Sequence, residues 1–254
     1  MTLLSLQGVT RRYGGLVAVD TIDLDVAEGG VTAVIGPNGA GKTTLFNLIS
    51  GFQAPNAGRI LFAGKDITAG MPEEIAAAGL VRTFQLVQLF QNLSVLENVQ
   101  VGCHLHTKGG VLSALMRTRS TRQAEREVEA RARELLDFVG LQRAAETEAS
   151  ALAYGQQRLL EIARALAAKP RLLLLDEPAA GLSADESRRL SAAIRAIAGR
   201  GTTVLLIEHD MKLVMNTADT IAVLDFGRKI AEGAPAAVRE DPAVIAAYLG
   251  VGHA

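Results

Sequence analysis

The sequence lacks the features that mark secreted and membrane-spanning chains. It has no tryptophan and one cysteine, Cys103, so an internal disulfide framework is excluded and a reducing compartment is expected. Apolar runs such as Leu172–Leu175 fall far short of the roughly 18 residues that cross a bilayer. The N-terminal residues reach Arg11 and Arg12 without the basic-then-apolar order of a signal peptide. We therefore expect a cytosolic protein. If it acts at a membrane, we expect it to do so as a peripheral subunit.

A strong charge of one sign is also missing. Lys and Arg number 26 and Asp and Glu number 27, which gives a formal net charge of −1. Nucleic-acid-binding domains usually carry a basic footprint, so this balance argues against nucleic acid as a partner. The arginines between Arg117 and Arg133 are interleaved with glutamates, a pattern typical of a water-facing helix with i,i+4 ion pairs.

Short apolar runs alternate with helical patterns along the chain. Val31–Ile35, Leu172–Leu175 and Thr202–Ile207 are each followed by a polar or glycine-rich turn and then by a helical pattern. This alternation predicts an α/β fold whose parallel sheet gathers ligands at the carboxyl ends of its strands. Leu4–Val9 and Thr21–Val26 alternate apolar and polar residues at period two, which predicts antiparallel strands near the N-terminus.

The middle of the chain differs from the rest. Residues from about 90 to about 149 lack strand-like runs, so we predict a helical subdomain inserted into a core of about residues 1–89 and 150–235. The pattern of apolar residues from about 238 to about 250 predicts one amphipathic C-terminal helix that packs on that core. Whether this helix also binds a partner is left open.

One segment matches the phosphate-binding pattern G-x-x-x-x-G-K-[ST] in full. It follows a predicted strand, opens a predicted helix and consists of Gly36, Pro37, Asn38, Gly39, Ala40, Gly41, Lys42 and Thr43. The glycines let backbone N–H groups point at phosphate oxygens, and the helix N-terminus adds partial positive charge. Lys42 is expected to reach the β- and γ-phosphates of a bound nucleotide, and Thr43 to ligate Mg²⁺. Thr44 fits an α-phosphate donor, although a threonine at a helix start needs no ligand.

Acidic residues and a histidine follow the other two predicted parallel strands. Asp176 stands at the end of one strand, where a carboxylate can hold Mg²⁺, and Glu177 beside it can polarise an attacking water as a general base. The alternative for this pair is a surface turn. His209 follows the third strand and is expected to sense the γ-phosphate and to position Glu177, although a lone histidine is often a bystander.

The order of these motifs resembles the nucleotide-binding subunit of ATP-binding cassette (ABC) transporters. The resemblance rests on the segment Leu152–Arg158, followed by a helix and then by Asp176 and Glu177. It implies an ABC-type P-loop NTPase with a RecA-like core, an N-terminal antiparallel β-subdomain and an inserted α-helical subdomain. It further implies two subunits that enclose two ATP molecules, each between one P-loop and the other subunit's signature helix. The signature residues are Leu152, Ala153, Tyr154, Gly155 and Gln156.

This signature departs from the usual family sequence L-S-G-G-Q. Ala153 stands in place of the serine and Tyr154 in place of the first glycine. Because a neutral hydrogen bond contributes about 1 kcal/mol net, we expect the missing hydroxyl to weaken the nucleotide sandwich without abolishing it.

The resemblance assigns roles to five further residues. Tyr13 matches the aromatic residue that stacks on adenine, and Ala18 an apolar residue beside the base. Gln85 matches the glutamine that senses Mg²⁺ and links catalysis to the membrane subunits; the alternative is an exposed loop amide. Ser183 and Asp185 match the loop that communicates across the dimer.

Segments across nearly the whole chain are similar to the ATP-binding subunits of branched-chain amino acid importers. They include Asp176–Leu182, Ile207–Met215 and Ala247–Gly250. The resemblance implies an ATPase on the cytoplasmic face of the plasma membrane with ATP and Mg²⁺ as cofactors. Its implied partners are two transmembrane permease subunits, a second ATPase subunit or another copy of itself, and indirectly a periplasmic or extracellular substrate-binding protein. The alternatives are a soluble mechanical ATPase acting on nucleic acid or ribosomes, and the ATPase of a lipid exporter or extractor.

Overall fold

A computed structural model describes residues 1–83, 87–103 and 119–249, with the backbone alone for residues 119–122 and 249. Two compact units share the chain. One comprises Met1–Gln85 and Arg171–Ala254, and the other comprises Leu86–Pro170. The first unit carries two β-sheets flanked by helices, whereas the described part of the second is mainly helical. The predicted α/β class is confirmed.

The first sheet is antiparallel and has the strand order β2-β1-β4-β5. Its strands are β1 (Thr2–Tyr13), β2 (Leu16–Ala27), β4 (Ala57–Phe62) and β5 (Lys65–Asp66). Leu6 on β1 pairs with Leu24 on β2 and with Ile60 on β4, and all three side chains are buried. The period-two pattern near the N-terminus thus forms the antiparallel sheet that it predicts, with one face in the core.

The second sheet is parallel apart from one edge pair, and its order is β10-β9-β3-β8-β7-β6. Its strands are β3 (Val31–Ile35), β6 (Leu80–Arg82), β7 (Leu172–Asp176), β8 (Thr203–Ile207), β9 (Thr220–Asp225) and β10 (Arg228–Gly233). Every residue of β3, β7 and β8 is buried, as expected for parallel strands covered on both faces. These three strands are neighbours, so the loops that follow them emerge at one edge of the sheet.

Nine α-helices lie in the described residues. They are α1 (Lys42–Ile49), α2 (Pro72–Ala77), α3 (Val95–Cys103), α4 (Arg119–Phe138), α5 (Tyr154–Ala167), α6 (Ala184–Gly199), α7 (Met211–Thr217), α8 (Pro235–Glu240) and α9 (Pro242–Leu249). No described helix combines the length and the apolar character needed to cross a bilayer. The Arg/Glu helix α4 carries an i,i+4 surface ion pair of the expected kind, Arg133–Glu129, and an i,i+3 pair, Arg131–Glu134.

The helical unit is longer than the predicted insertion of about residues 90–149. Residues 150–170, predicted as core, belong to the helical unit together with α5. A Cβ atom on Gly102 of α3 would lie 2.1 Å from the carbonyl oxygen of Arg164 on α5, so these two helices pack backbone to backbone. This close packing joins α5 to the helical unit although it follows the predicted boundary in sequence.

The C-terminal segment forms two helices rather than the one predicted over about residues 238–250. Asp241 separates α8 from α9 and has an extended backbone, with φ −69° and ψ 121°. The break has a steric cause, because the ring of Pro242 disfavours helical angles in the residue before it. Val238 and Val244 are both buried in a cluster with Ile35, so the segment does pack on the core as expected.

Candidate active site

The phosphate-binding loop connects β3 to α1 and depends on two glycines for its path. Gly36 has φ 151° and Gly41 has φ 98°. A Cβ atom would lie 2.1 Å from the Leu224 carbonyl oxygen at Gly36, and 2.3 Å from the Ala18 carbonyl oxygen at Gly41. Only glycine fits these positions without moving backbone. Ala18 therefore meets the loop through its carbonyl group.

Lys42 is nearly enclosed by this loop. Its side chain is buried, and its Nζ donates to the carbonyl oxygens of Gly36 at 2.7 Å and Pro37 at 2.9 Å. Burial lowers the pKa of Lys42, while the charge of Glu177 acts in the opposite direction. The ammonium group thus lies at the loop and within electrostatic reach of the predicted general base.

Part of the loop is open to solvent, as a ligand-binding loop requires. Asn38, Gly39 and Thr43 are exposed, while Pro37 and Thr44 are half-buried. A Cβ atom on Gly39 would meet no atom within 4 Å, so space lies beside this glycine. Ala40 is buried and its N–H donates to the Pro37 carbonyl oxygen at 3.2 Å, which closes the turn.

Asp176 ends β7 as predicted, and the structure pairs it with an arginine. The Arg82 Nη2 donates to Asp176 Oδ2 at 2.7 Å, and the two side chains are 6% and 5% exposed. Arg82 Nη1 donates to Asn47 Oδ1 at 2.8 Å and to Ser50 Oγ at 2.9 Å. The Arg82 guanidinium group therefore joins β6, β7 and the C-terminal end of α1, and it contacts the carboxylate of Asp176, the predicted Mg²⁺ ligand.

Glu177 and His209 come together beyond the carboxyl ends of β7 and β8. The distance from His209 Nδ1 to Glu177 Oε2 is 3.6 Å, and their side chains are 60% and 19% exposed. Glu177 has φ 45°, a left-handed conformation that non-glycine residues rarely adopt and that is common where function imposes strain. Its N–H donates to the Ile207 carbonyl oxygen at 3.0 Å, which ties the start of this loop to the end of β8.

Glu208 separates β8 from His209 and is completely buried. Its carboxylate accepts three backbone N–H groups, from Ala179 at 2.7 Å, His209 at 3.0 Å and Asp210 at 3.2 Å. Burial raises the pKa of Glu208, and the three N–H donors oppose that rise.

Tyr13 lies at the end of β1 and is partly exposed, as expected for a side chain that stacks on a base. The Arg11 guanidinium lies 4.8 Å from the centre of the Tyr13 ring. Tyr13 Oη donates to Gln53 Oε1. The ring is thus held by two neighbours, and its proposed contact with adenine is a prediction for an ATP-bound state.

The signature residues begin α5 in the helical unit. Ala153 is the N-cap and supplies no side-chain hydrogen bond to the first turn, where the usual serine has a hydroxyl group. Tyr154 is exposed, and its Oη accepts from Arg158 Nη2 at 3.1 Å. Gly155 and Leu152 are buried, whereas Gln156 is exposed and accepts from the Ala153 N–H through Oε1 at 3.2 Å.

The two predicted dimer-loop residues are exposed at the start of α6. Ser183 caps this helix, since its Oγ accepts from the Glu186 N–H at 3.4 Å. Asp185 forms an ion pair with Arg188 on the helix surface. These contacts lie within the chain, so the predicted role across a dimer stays a prediction. Gln85 lies outside the described residues.

Sequence reasoning missed Arg82 and the buried role of Glu208. The ion pair between Arg82 and Asp176 joins positions 94 residues apart, and no local pattern predicts it. The position of Glu208 could have been noticed in the sequence. An acidic residue that directly follows a fully buried strand is itself buried only where hydrogen-bond donors surround its carboxylate. Of the two neighbours Glu208 and His209, only His209 was predicted to act at the site.

Comparison with known proteins decides the family. The ABC transporter family description matches residues 19–180. The chain belongs to the ABC transporter family. A second description, branched-chain amino acid ATP-binding cassette transporter, matches residues 228–254. The family predicted from the motifs is therefore confirmed.

Individual relatives agree with this assignment. The high-affinity branched-chain amino acid transport ATP-binding protein LivG of Escherichia coli (strain K12) is 46% identical over 98% of this chain and 98% of that protein. A crystal structure of the ADP conformation of MJ1267, an ATP-binding cassette of an ABC transporter, has a TM-score of 0.86 at 35% identity and covers 98% of this chain and 99% of that one. The dimeric cassette MJ0796 bound to ADP and Pi has a TM-score of 0.75 at 25% identity, with coverage of 91% and 98%.

Proposed function

We propose that this cassette hydrolyses ATP to energise an importer of branched-chain amino acids. The observation that carries the proposal is the 46% identity with LivG over 98% of both chains, together with the C-terminal match over residues 228–254. The site geometry supports the ATPase part, since a phosphate-binding loop, two acidic residues and a histidine lie at or directly after the carboxyl ends of neighbouring strands.

The phosphate groups of ATP would bind at the loop between β3 and α1. Its backbone N–H groups and the N-terminus of α1 provide donors and partial positive charge. Lys42 would move its ammonium group from the carbonyl oxygens of Gly36 and Pro37 to the β- and γ-phosphates. The positive charge that burial disfavours at Lys42 would then be balanced by phosphate.

A Mg²⁺ ion that accompanies ATP would find oxygen ligands in this chain. Thr43, Asp176 and Gln85 offer hydroxyl, carboxylate and amide oxygens, the hard donors that Mg²⁺ prefers. When bound, the ion would neutralise charge that develops on the phosphates. Arg82 holds the Asp176 carboxylate at the strand end, so this ligand needs little reorganisation.

Glu177 would act as the general base. Its carboxylate would accept a proton from the water that attacks the γ-phosphorus, and ADP would leave with the electrons of the broken bond. His209, 3.6 Å from Glu177 Oε2, would orient this carboxylate and the γ-phosphate. Most of the rate enhancement would come from positioning and from charge stabilisation.

Transport would require a dimer and membrane partners. In the proposed dimer, Leu152–Gln156 of one subunit would face the ATP of the other, and Ser183 and Asp185 would lie near that contact. The proposed partners of this cassette, which would lie on the cytoplasmic face of the membrane, are two transmembrane permease subunits and a second ATPase subunit or another copy of this chain. A substrate-binding protein outside the membrane would select the amino acid.

The substitution Glu177→Gln tests the ATPase mechanism. The amide keeps the size of the side chain but cannot accept the proton, so we expect hydrolysis to fall by about 10²- to 10⁴-fold with ATP still bound. Phosphate release and binding of a fluorescent ATP analogue measure the two quantities. Glu73→Gln, at an exposed position of α2, is the matched control and should leave both unchanged. Unimpaired turnover by E177Q would remove Glu177 from the role of base.

A further inference from the structure

Glu208 is a buried acidic side chain that the proposed reaction does not use. Its exposed fraction is 0%, so it cannot touch nucleotide or water at the sheet edge. Carboxylates are almost never fully buried without partners, because loss of hydration is costly. The partners that compensate this cost therefore indicate what the residue does.

The two carboxylate oxygens of Glu208 bind two different loops. Oε1 accepts from the Ala179 N–H at 2.7 Å, in the loop that follows β7. Oε2 accepts from the N–H groups of His209 at 3.0 Å and Asp210 at 3.2 Å, in the loop that follows β8. Backbone N–H groups give a more fixed geometry than long side chains, so the carboxylate clamps one loop to the other.

The clamped loops carry the pair Glu177 and His209. Ala179 lies two residues after Glu177, and His209 follows Glu208 directly. Glu177 has φ 45°, and a residue in this conformation persists only where its surroundings hold it. The Ile207 carbonyl oxygen at the end of β8 accepts from the Glu177 N–H, and the Glu208 carboxylate accepts from the Ala179 N–H.

We propose that Glu208 is a positioning residue that sets the distance between the Glu177 carboxylate and the His209 imidazole. The inference rests on the proposed function, in which these two side chains act on ATP. Glu208 acts through both of them and contacts neither the nucleotide nor the attacking water. Its removal therefore slows the chemical step and leaves nucleotide binding at the loop after β3 intact.

Glu208→Gln is the substitution that isolates this role. Glutamine has the same shape but one acceptor oxygen, so it can serve the Ala179 N–H or the His209 and Asp210 N–H groups but not both sets. In the full-length chain we expect kcat to fall at least about tenfold with the ATP KM within about twofold of wild type. Glu208→Asp keeps both oxygens on a shorter stem and should fall between wild type and E208Q.

Thr203→Val is the matched control for a purely structural effect. Thr203 is also completely buried, lies at the opposite end of β8, and accepts the Gly29 N–H through Oγ1 at 2.9 Å. We expect T203V to lower the melting temperature without changing kcat. If T203V and E208Q lower kcat in proportion to their loss of stability, Glu208 has only a structural role and the proposal is wrong.

A double-mutant cycle with His209→Ala separates positioning from stability. If Glu208 acts through His209, E208Q costs much less activity in the H209A background than in wild type. If E208Q lowers kcat by the same factor in the H209A background as in wild type, the proposal is wrong. The proposal is also wrong if E208Q has the kcat of wild type while E177Q is inactive. If E208Q does not fold, the same comparisons are made with E208D alone and with E208D combined with H209A. An active E177Q enzyme would instead contradict the proposed function.

Discussion

A single carbonyl oxygen limits what can replace Gly36 at the start of the phosphate-binding loop. A Cβ atom there would lie 2.1 Å from the Leu224 carbonyl oxygen, whereas a Cβ atom on Gly39 would meet nothing within 4 Å. Both glycines have φ angles that other residues rarely adopt, 151° and 82°. The two positions thus share a conformational cost, and only Gly36 adds a backbone clash.

We expect Gly36→Ala to damage the loop more than Gly39→Ala. Unfavourable backbone angles cost of order 1–3 kcal/mol in each variant, and the clash at Gly36 adds to that cost and displaces the loop. Urea unfolding measures the stability loss, and ATP-analogue titration measures the affinity. Equal losses in the two variants would show that the contact with Leu224 is unimportant.

Glu161 provides a pH-dependent prediction at the same scale. It is buried beside Arg158, and burial raises its pKa above the ordinary value of 4.5, with the arginine opposing the rise. The folded chain therefore binds this proton more tightly than the unfolded chain, so stability falls as pH rises from 4.5 through the raised pKa. The unfolding free energy of wild type minus that of Glu161→Gln should therefore become smaller or more negative as pH rises through this window. A difference independent of pH would contradict the raised pKa.

At the scale of elements, Arg82 joins β6, β7 and α1 through one buried guanidinium group. Removing one partner of a buried ion pair leaves the other charge uncompensated. Because Arg82 pairs with the Asp176 carboxylate, this contact connects the stability of the strand ends to the proposed Mg²⁺ site.

We expect Arg82→Met to lower the unfolding free energy by about 3–5 kcal/mol, because Asp176 is left charged and buried. Arg133→Met on α4 is the control, since Arg133 is half-exposed in its ion pairs and such pairs contribute about 0–1 kcal/mol. Denaturant unfolding of both variants measures the difference. A loss in R82M no larger than in R133M would refute the importance of the buried pair.

Element-level prediction succeeded where apolar runs and motifs are continuous. The strand Val31–Ile35 has the bounds predicted, and α1 begins at Lys42 as the phosphate-binding pattern requires. The break at Asp241 was missed although Pro242 gives a steric signal for it. Arg82 and Glu208 could not be assigned their partners, because those contacts form only when distant strands become neighbours.

At the scale of the whole molecule, the family and the α/β class followed from the sequence, but the division into units did not. Residues 150–170 belong with the helical unit because Gly102 allows α3 to approach α5 closely, and this contact has no local sequence pattern. The proposed site depends on residues from the first unit, and the signature lies in the second. In the proposed dimer, the signature segment of one copy would meet the phosphate-binding loop of the other.

We expect ATP to convert E177Q from monomer to dimer, because the trapped nucleotide would be held between the loop after β3 and a signature segment of a second copy. Light scattering after size-exclusion chromatography measures the mass with and without ATP. Lys42→Ala in the E177Q background should remain monomeric, since the phosphates lose their cation. A persistent E177Q monomer at high ATP concentration would refute self-association and favour a different second subunit.

The most direct test of the proposed function is the identity of the proteins that accompany the trapped cassette. E177Q with ATP would be purified from gently solubilised membranes of the source cells, and its companions identified by mass spectrometry, with E177Q carrying Lys42→Ala as the matched control. We predict two permease subunits, together with either a second ATPase subunit or further copies of this cassette alone, in a complex whose binding protein recognises branched-chain amino acids. Ribosomal or nucleic-acid companions without any permease would contradict the transport function.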